Sequence, residues 1–250
     1  MGTSMIDTMS EDLNKSIKQQ DLDSIKKTYR ENNELVFIEN FLPIDFVNQY
    51  LLSEADKLRP EVHRSYFPGY KKAGSISYNT LAEKAPNTMS VYRSQAFMDF
   101  IGHLVEKTVM LCPEADPHSC ALYYYTEPGD HIGNHIDGSY YKGKRYTILI
   151  GLVQNSEQCK LLGYLDKFNR KKETRKLEIM THPGSMVLFN GDKLWHGVSA
   201  LGENEERIML AIEYITDPRI NRVLRFVSDM KDAIGYFGFS NVFRRRRPSS

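Results

Sequence analysis

Cysteine is scarce in this sequence: Cys112, Cys120 and Cys159 are the only three in 250 residues. Their number is odd and no two stand at the short spacing of a zinc knuckle. Neither a disulfide framework nor a cysteine-built metal site is therefore expected, and such usage suits a reducing, cytoplasmic setting. No apolar run approaches the roughly 20 residues needed to cross a bilayer. The N-terminal stretch lacks the apolar centre of a signal peptide. Net charge is nearly absent too, with 33 Lys and Arg against 32 Asp and Glu. Without a global field, neither nucleic acid nor an anionic membrane surface is the expected partner. Internal repeats and linker-like stretches are also missing, so residues 1–250 read as a single domain.

What is present changes character along the chain. Residues 10–30 carry a thin helical stripe of Leu13, Ile17, Leu22, Ile25 and Tyr29, the pattern of a helix lying on a sheet. Residues 35–38 have strand character. Pro43 opens a second helix buried through Phe46, Val47, Tyr50, Leu51 and Leu58, and Pro60 closes it. Residues 60–90, rich in Gly, Pro, Ser, Asn and Lys, read as a long loop with one or two short strands. Ser94 is placed to cap a third helix reaching about residue 111. From Cys120 the period changes. Residues 121–125, 145–153, 161–164, 177–180, 185–189 and 207–215 read as strands, and 167–176 as a charged, solvated hairpin tip. A short helical segment over 218–236 and a tail with Arg244, Arg245, Arg246 and Arg247 follow. Helical support over 10–115 followed by strands over 118–216 is an α+β order with a β-sandwich or barrel core.

The chemistry centres on His135 and Asp137. In a strand, side chains two residues apart face the same way about 6–7 Å apart, so both can converge on one ion. Gly129 and Gly133 argue against a helix here, which disfavours pairing His131 with His135 as a zinc-protease face. On the strand reading His131 shares a face with His135 and joins the cavity candidates. The third ligand must come from elsewhere, and His196, after the turn residues Asn190, Gly191 and Asp192, is best placed. Two imidazoles and one carboxylate leave three faces of an octahedral ion open. Each piece alone has a plainer reading: His-x-Asp is common by chance, and a lone histidine is more often simply packed. Arg207 begins a strong strand after ten intervening residues. Its guanidinium is either a strand-start partner of Glu205 or Glu206, or a bidentate fork for a bound carboxylate.

Tyr125, Pro128, Gly129, His135, Asp137, residues 145–147, 183–185, 188–191 and 195–197, and Arg207 together resemble the Fe(II)/2-oxoglutarate-dependent dioxygenase superfamily, in its prolyl-hydroxylase-like branch. The likeness covers about 118–216, with a weaker match where residues 37–43 lead into a helix. It implies a double-stranded β-helix (jelly-roll, cupin-like) core with supporting N-terminal helices. It implies Fe(II) held by His135, Asp137 and His196, and the distal carboxylate of 2-oxoglutarate held by Arg207 with help from Tyr125. Thr147 is a further candidate for that task. The implied reaction consumes O2, is supported in vitro by ascorbate, and releases succinate and CO2. Two departures matter: many prolyl hydroxylases carry Lys where Arg207 stands, and residues 154–160 lack the Gly-Gly pair common in protein-hydroxylating members. The layout is also similar to small bacterial enzymes acting on free amino acids, some of them halogenases. Halogenases have Gly or Ala in place of the carboxylate, so Asp137 implies hydroxylation.

His131, Asn134, Tyr141, Arg145 and Trp195 are the substrate-side candidates, chosen by nearness to the ligands in sequence. Arg64, Lys71 and Lys72 in the long loop either form a solvated basic loop, the slightly preferred reading, or reach over the mouth to bind a substrate carboxylate. The expected substrate is a small polar metabolite, an amino acid or derivative. Alternatives are a peptidyl residue on a partner protein and a methylated nucleobase, the latter disfavoured by the near-neutral charge. From another class comes a non-catalytic β-helix protein that binds without turnover, against which the complete triad with Arg207 speaks. No feature sets an oligomeric state.

Overall fold

The computed structural model describes residues 5–113 and 116–220. Residues 221–236 of the expected C-terminal helix, and the arginine run, lie outside them. The single helix expected over 10–30 is two, α1 (Met5–Lys18) and α2 (Leu22–Glu31). The break has a local cause: the Asp21 side chain accepts from the Ser24 N–H and starts a new helix. After β1 (Leu35–Ile38), Pro43 opens a continuous helical rod of α3 (Ile44–Phe46), a π segment (Val47–Leu52) and α4 (Ser53–Lys57). Pro60 sits in the 3-10 turn that ends it.

Residues 60–90 are more ordered than their composition suggests. They form the hairpin β2 (His63–Phe67) and β3 (Lys71–Ile76), then α5 (Tyr78–Lys84) and α6 (Pro86–Arg93). The two helices correct the loop expectation. Pro86 sits at the first position of α6, where its missing N–H costs nothing, and buried Glu54 of α4 accepts from the Asn87 and Thr88 N–H groups at 2.8 Å each. A carboxylate from another helix thus satisfies the donors of the α6 N-terminus. Ser94 caps α7 (Gln95–Val105) as expected, accepting from the Phe97 N–H at 3.2 Å. The helix stops earlier than expected because Glu106 adopts the left-handed conformation. The short strand β4 (Met110–Leu111) follows.

Eight strands then build the catalytic-type core. They are β5 (Cys120–Tyr125), β6 (His131–His135), β7 (Arg145–Asn155), β8 (Leu161–Leu165), β9 (Arg175–Ile179), β10 (Met186–Asn190), β11 (Trp195–Val198) and β12 (Glu206–Ile215). All pairings are antiparallel, in the order β1-β10-β7-β12-β5-β3-β6-β11-β8-β9, with β2 on β3 and β4 on β12. Two four-strand groups, β10-β7-β12-β5 and β6-β11-β8-β9, are thereby nested as in a jelly roll. Strand β3 joins them, pairing with β6 through Lys71 and Lys72 and with β5 through Gly74, Ser75 and Ile76, while β2 takes its other edge.

Alternation along β7 and β12 positions the site. Tyr146, Ile148 and Ile150, with Ile208, Leu210, Ile212 and Tyr214, face the helices in one buried cluster with Phe97, Ile101 and Leu104 of α7. Each such side chain contributes about 1.5–3 kcal/mol by leaving water. The intervening residues Arg145, Thr147, Leu149, Arg207, Met209, Ala211 and Glu213 face a cavity between the two strand groups. One face of these strands therefore anchors the fold and the other carries chemistry. Among the described residues no helix is long and apolar enough to cross a membrane.

Candidate metal centre

His135 ends β6 and His196 is the second residue of the adjacent β11, and the two are cross-strand partners with ring centroids 4.4 Å apart. The next pair in register is Val198 with Ile132, so β6 holds one more residue than β11 over this span. This β-bulge breaks simple alternation. Ile132 and His135, three residues apart, both line the cavity. His131 consequently falls outside the cavity wall, with its Nδ1 2.8 Å from the Gly129 carbonyl. The expectation that it shares the His135 face is corrected by the bulge.

Asp137 follows directly, its N–H donating to the Gly191 carbonyl at 3.1 Å. Its Oδ1 lies 3.3 Å from His135 Nε2 and 3.5 Å from His196 Nε2. One ligand atom from each of the three residues falls within 4.8 Å of the others, the arrangement that one metal ion needs. Hydrogen bonds behind the ligands complete it. His135 Nδ1 is 2.9 Å from the Gly133 carbonyl and His196 Nδ1 3.0 Å from the Leu194 carbonyl. With Nδ1–H donating to those carbonyls, both Nε2 lone pairs are offered to a metal. Thr147 Oγ1 donates to Asp137 Oδ2 at 2.9 Å, fixing the carboxylate. Burial works against the Asp137 charge, but His196, His135 and Arg145 outweigh it and hold the carboxyl well below its usual range. Burial also pushes the His196 imidazole below its ordinary value, only partly opposed by Asp137. At neutral pH the carboxylate and this imidazole are thus in the forms that ligate.

Arg207 is fully buried on the same cavity and pairs in register with Tyr125, its guanidinium carbon 5.0 Å from the ring centroid. Its Nε and Nη2 donate to Thr181 Oγ1 at 3.3 and 3.1 Å. The plain reading, an ion pair with Glu205 or Glu206, does not hold. Glu205 is taken by the Ser156 hydroxyl and the Gly202 N–H, and Glu206 by Arg59. Among the described residues no carboxylate reaches Arg207 within ion-pair distance. A buried guanidinium without an acid is costly unless an anion completes it.

The substrate-side candidates divide. Arg145 lines the cavity, ion-paired with Glu213 and with Asp116 at 3.5 Å. Tyr141 lies behind it, its ring under the guanidinium at 5.9 Å and its hydroxyl donating to Asp116 at 2.9 Å. Asn134 is exposed and outside the cavity wall. Trp195 is also outside it, edge-on to Phe168 at 6.1 Å, because its neighbour His196 takes the inward direction. The basic loop residues do not reach over the mouth either. Arg64 forms a two-pronged pair with buried Asp130, at 2.6 and 2.8 Å, and Lys72 donates to the Pro128 carbonyl at 2.9 Å. Lys71 is buried, its ammonium 5.6 Å from the Tyr123 ring centroid. Thr181, Glu213 and His118 were missed in the sequence. Counting by twos from Arg207 along β12 reaches Glu213, whereas Thr181 and His118 lie on connections that carry no periodic signal.

No family profile and no curated protein sequence matches the chain. Solved structures do match in fold. SnoN, a non-heme α-ketoglutarate-dependent epimerase from nogalamycin biosynthesis, superposes with a TM-score of 0.64 and 15% identity, covering 77% of this chain and 81% of that one. A prolyl hydroxylase from Trichoplax adhaerens, in complex with a hypoxia inducible factor peptide, gives 0.61 and 16% over 86% and 95%. An oxidoreductase of the 2OG-Fe(II) oxygenase family from Burkholderia pseudomallei gives 0.59 and 13% over 82% and 95%. At these identities the likeness is one of architecture: the chain has the double-stranded β-helix fold of the 2-oxoglutarate-dependent Fe(II) oxygenases.

Proposed function

We propose that the protein is an Fe(II)/2-oxoglutarate-dependent oxygenase that hydroxylates an unactivated C–H bond of a small polar metabolite, a free amino acid or close derivative. The observation that carries this reading is one cavity shared by His135, Asp137, His196 and a buried Arg207 that has no acidic partner among the described residues. Two imidazoles and a carboxylate suit Fe(II) and leave room for a bidentate cosubstrate. Bound there, iron and 2-oxoglutarate would supply the activation of O2, with loss of CO2 and formation of succinate. The chain's own part is positional. His135, Asp137 and His196 hold the metal, and Thr147, itself on the cavity wall, orients Asp137. Arg207 takes the distal carboxylate, steadied by Thr181 and stacked on Tyr125. Leu149, Met209 and Ala211 give the cavity apolar walls that exclude water.

The inward-facing cavity favours a small molecule, and SnoN has been solved with Fe3+, α-ketoglutarate and nogalamycin RO. A peptidyl substrate is the second reading. It is favoured by Tyr66 and Phe67, 70% and 49% exposed on the hairpin whose β3 strand pairs with β6. The test is succinate release by purified protein with Fe(II), ascorbate and 2-oxoglutarate, screened against free amino acids and short peptides. Stimulation by free amino acids supports the first reading, and stimulation by peptides alone supports the second. If nothing stimulates release and Asp137→Ala leaves metal binding unchanged, the oxygenase reading fails.

A further inference from the structure

The cavity has a second polar end that the metal centre and Arg207 do not use. Asp116, Arg145 and Glu213 are 1%, 4% and 7% exposed, so all three charges are withdrawn from water. Arg145 Nη2 lies 3.5 Å from Asp116 Oδ2 and in ion-pair contact with Glu213. Asp116 is already committed: it accepts from the Tyr141 hydroxyl at 2.9 Å and from the His118 N–H at 3.0 Å. It does not line the cavity, whereas Arg145 and Glu213 do. One guanidinium therefore serves two buried carboxylates, and Arg145 Nε finds no acceptor among the described residues.

Position matters as much as charge. Arg207 and Glu213 stand six residues apart on one face of β12, about 20 Å at the rise of a strand. Glu213 is the cross-strand partner of Thr147, which holds Asp137. Directly paired residues have Cβ atoms about 5 Å apart. Glu213 is thus beside the metal centre, at the end of the β12 face away from Arg207. In the loaded site, the charges of Fe(II) and Arg207 cancel those of Asp137 and the dicarboxylate. Taken by itself, the Asp116–Arg145–Glu213 group carries one negative charge in excess; the buried Lys71 ammonium is not in the cavity lining and stands 5.6 Å from the Tyr123 ring centroid. An excess buried carboxylate is stabilised by a cation that brings its own N–H donors.

We propose that Glu213 is a substrate-recognition residue that receives a protonated amine, so that the substrates are amine-bearing metabolites whose reacting carbon lies a few bonds from that nitrogen. This rests on the oxygenase reading above and narrows its substrate class. Arg145 is a positioning residue in it, holding the Glu213 carboxylate against the cavity wall.

The test is calorimetric titration of the protein loaded with Mn(II) and 2-oxoglutarate. The probes are amino acids and ω-amino acids, each compared with its N-acetylated and deaminated counterpart. Amines should bind, and removing the positive charge should weaken binding at least tenfold. Glu213→Gln should weaken the best amine at least tenfold and Glu213→Asp less. A thermal shift on adding Mn(II) and 2-oxoglutarate confirms that each variant retains the centre. If Glu213→Gln does not fold, the wild-type panel decides alone. Neutral counterparts binding as tightly as amines, or a well-loaded Glu213→Gln that binds amines normally, would overturn the proposal. Failure of the oxygenase reading looks different: amine-selective binding persists, but no bound compound stimulates succinate release. Succinate release that ignores the nitrogen sinks the amine assignment and leaves the oxygenase standing.

Discussion

Gly191 sets how closely the backbone can approach the Asp137 carboxylate. A Cβ there would stand 2.8 Å from Asp137 Oδ2, 2.9 Å from its Cβ and 3.1 Å from Thr147 Oγ1. Gly191→Ala should push the carboxylate off Thr147 and lower metal affinity roughly tenfold to hundredfold, the usual cost of disturbing a ligand's outer partners. A metal titration followed by tryptophan fluorescence reads this directly, and an unchanged affinity would show that the turn yields freely. Arg207 carries a second prediction at this scale. Truncating one partner of a desolvated charge pair costs about 2–5 kcal/mol, so Arg207→Ala should weaken 2-oxoglutarate by roughly thirtyfold or more. A change of less than threefold in the measured Kd would remove Arg207 from the cosubstrate site.

Among the elements, one polar anchor braces the helical support internally and another ties the β2–β3 hairpin to the turn before β6. Glu54 joins the rod of α3 and α4 to the start of α6, accepting from Asn87 N–H, Thr88 N–H and the Thr88 hydroxyl. Removing a buried acceptor leaves its donors desolvated and unpaired, at about 1–3 kcal/mol. Glu54→Ala should therefore shift the denaturation midpoint to lower urea with little change in slope. A shift within error would mean that water replaces the carboxylate. The hairpin of β2 and β3 is tied to the turn before β6 by Arg64 and Asp130, and Asp130 also accepts from the Thr126 and Glu127 N–H groups. Arg64→Ala exposes that corner rather than the core. Protection of hairpin amides from hydrogen exchange should fall locally, while α7 amides keep theirs. Equal loss in both would show the hairpin to be part of the global unfolding unit.

For the molecule as a whole, metal binding and stability are one equilibrium. The ligands come from β6, the residue pair after it, and β11, with Thr147 of the other strand group bracing Asp137. A metal that binds only this folded arrangement stabilises by mass action, about 2.7 kcal/mol at a hundredfold excess over Kd. For a chain of this size that is a rise of about 5–10 °C in Tm. Mn(II) should produce it in wild type, a chelator should reverse it, and Asp137→Ala should abolish most of it. A shift that survives in Asp137→Ala would place the metal elsewhere.

How much of this could be read from residues alone follows the range of the forces involved. Strands β7 and β12 were legible because an apolar run rich in strand-forming residues between turn signals is a short-range property, and Ser94 declared itself as a helix cap for the same reason. The triad and Arg207 were legible because their residue types and spacing are restrictive in combination. By itself, then, the sequence determined the α+β order and the residues able to ligate. Tertiary structure decided the rest. Helices α5 and α6 look like loop in composition, and α6 takes its N-terminal acceptor from Glu54, distant in sequence. His131 was assigned to the cavity by strict alternation, which the bulge opposite β11 overrides. The Asp116–Arg145–Glu213 group joins three elements whose proximity no local pattern encodes. Strand register and ion pairing depend on the partner strand, so they come into being only when the chain closes on itself.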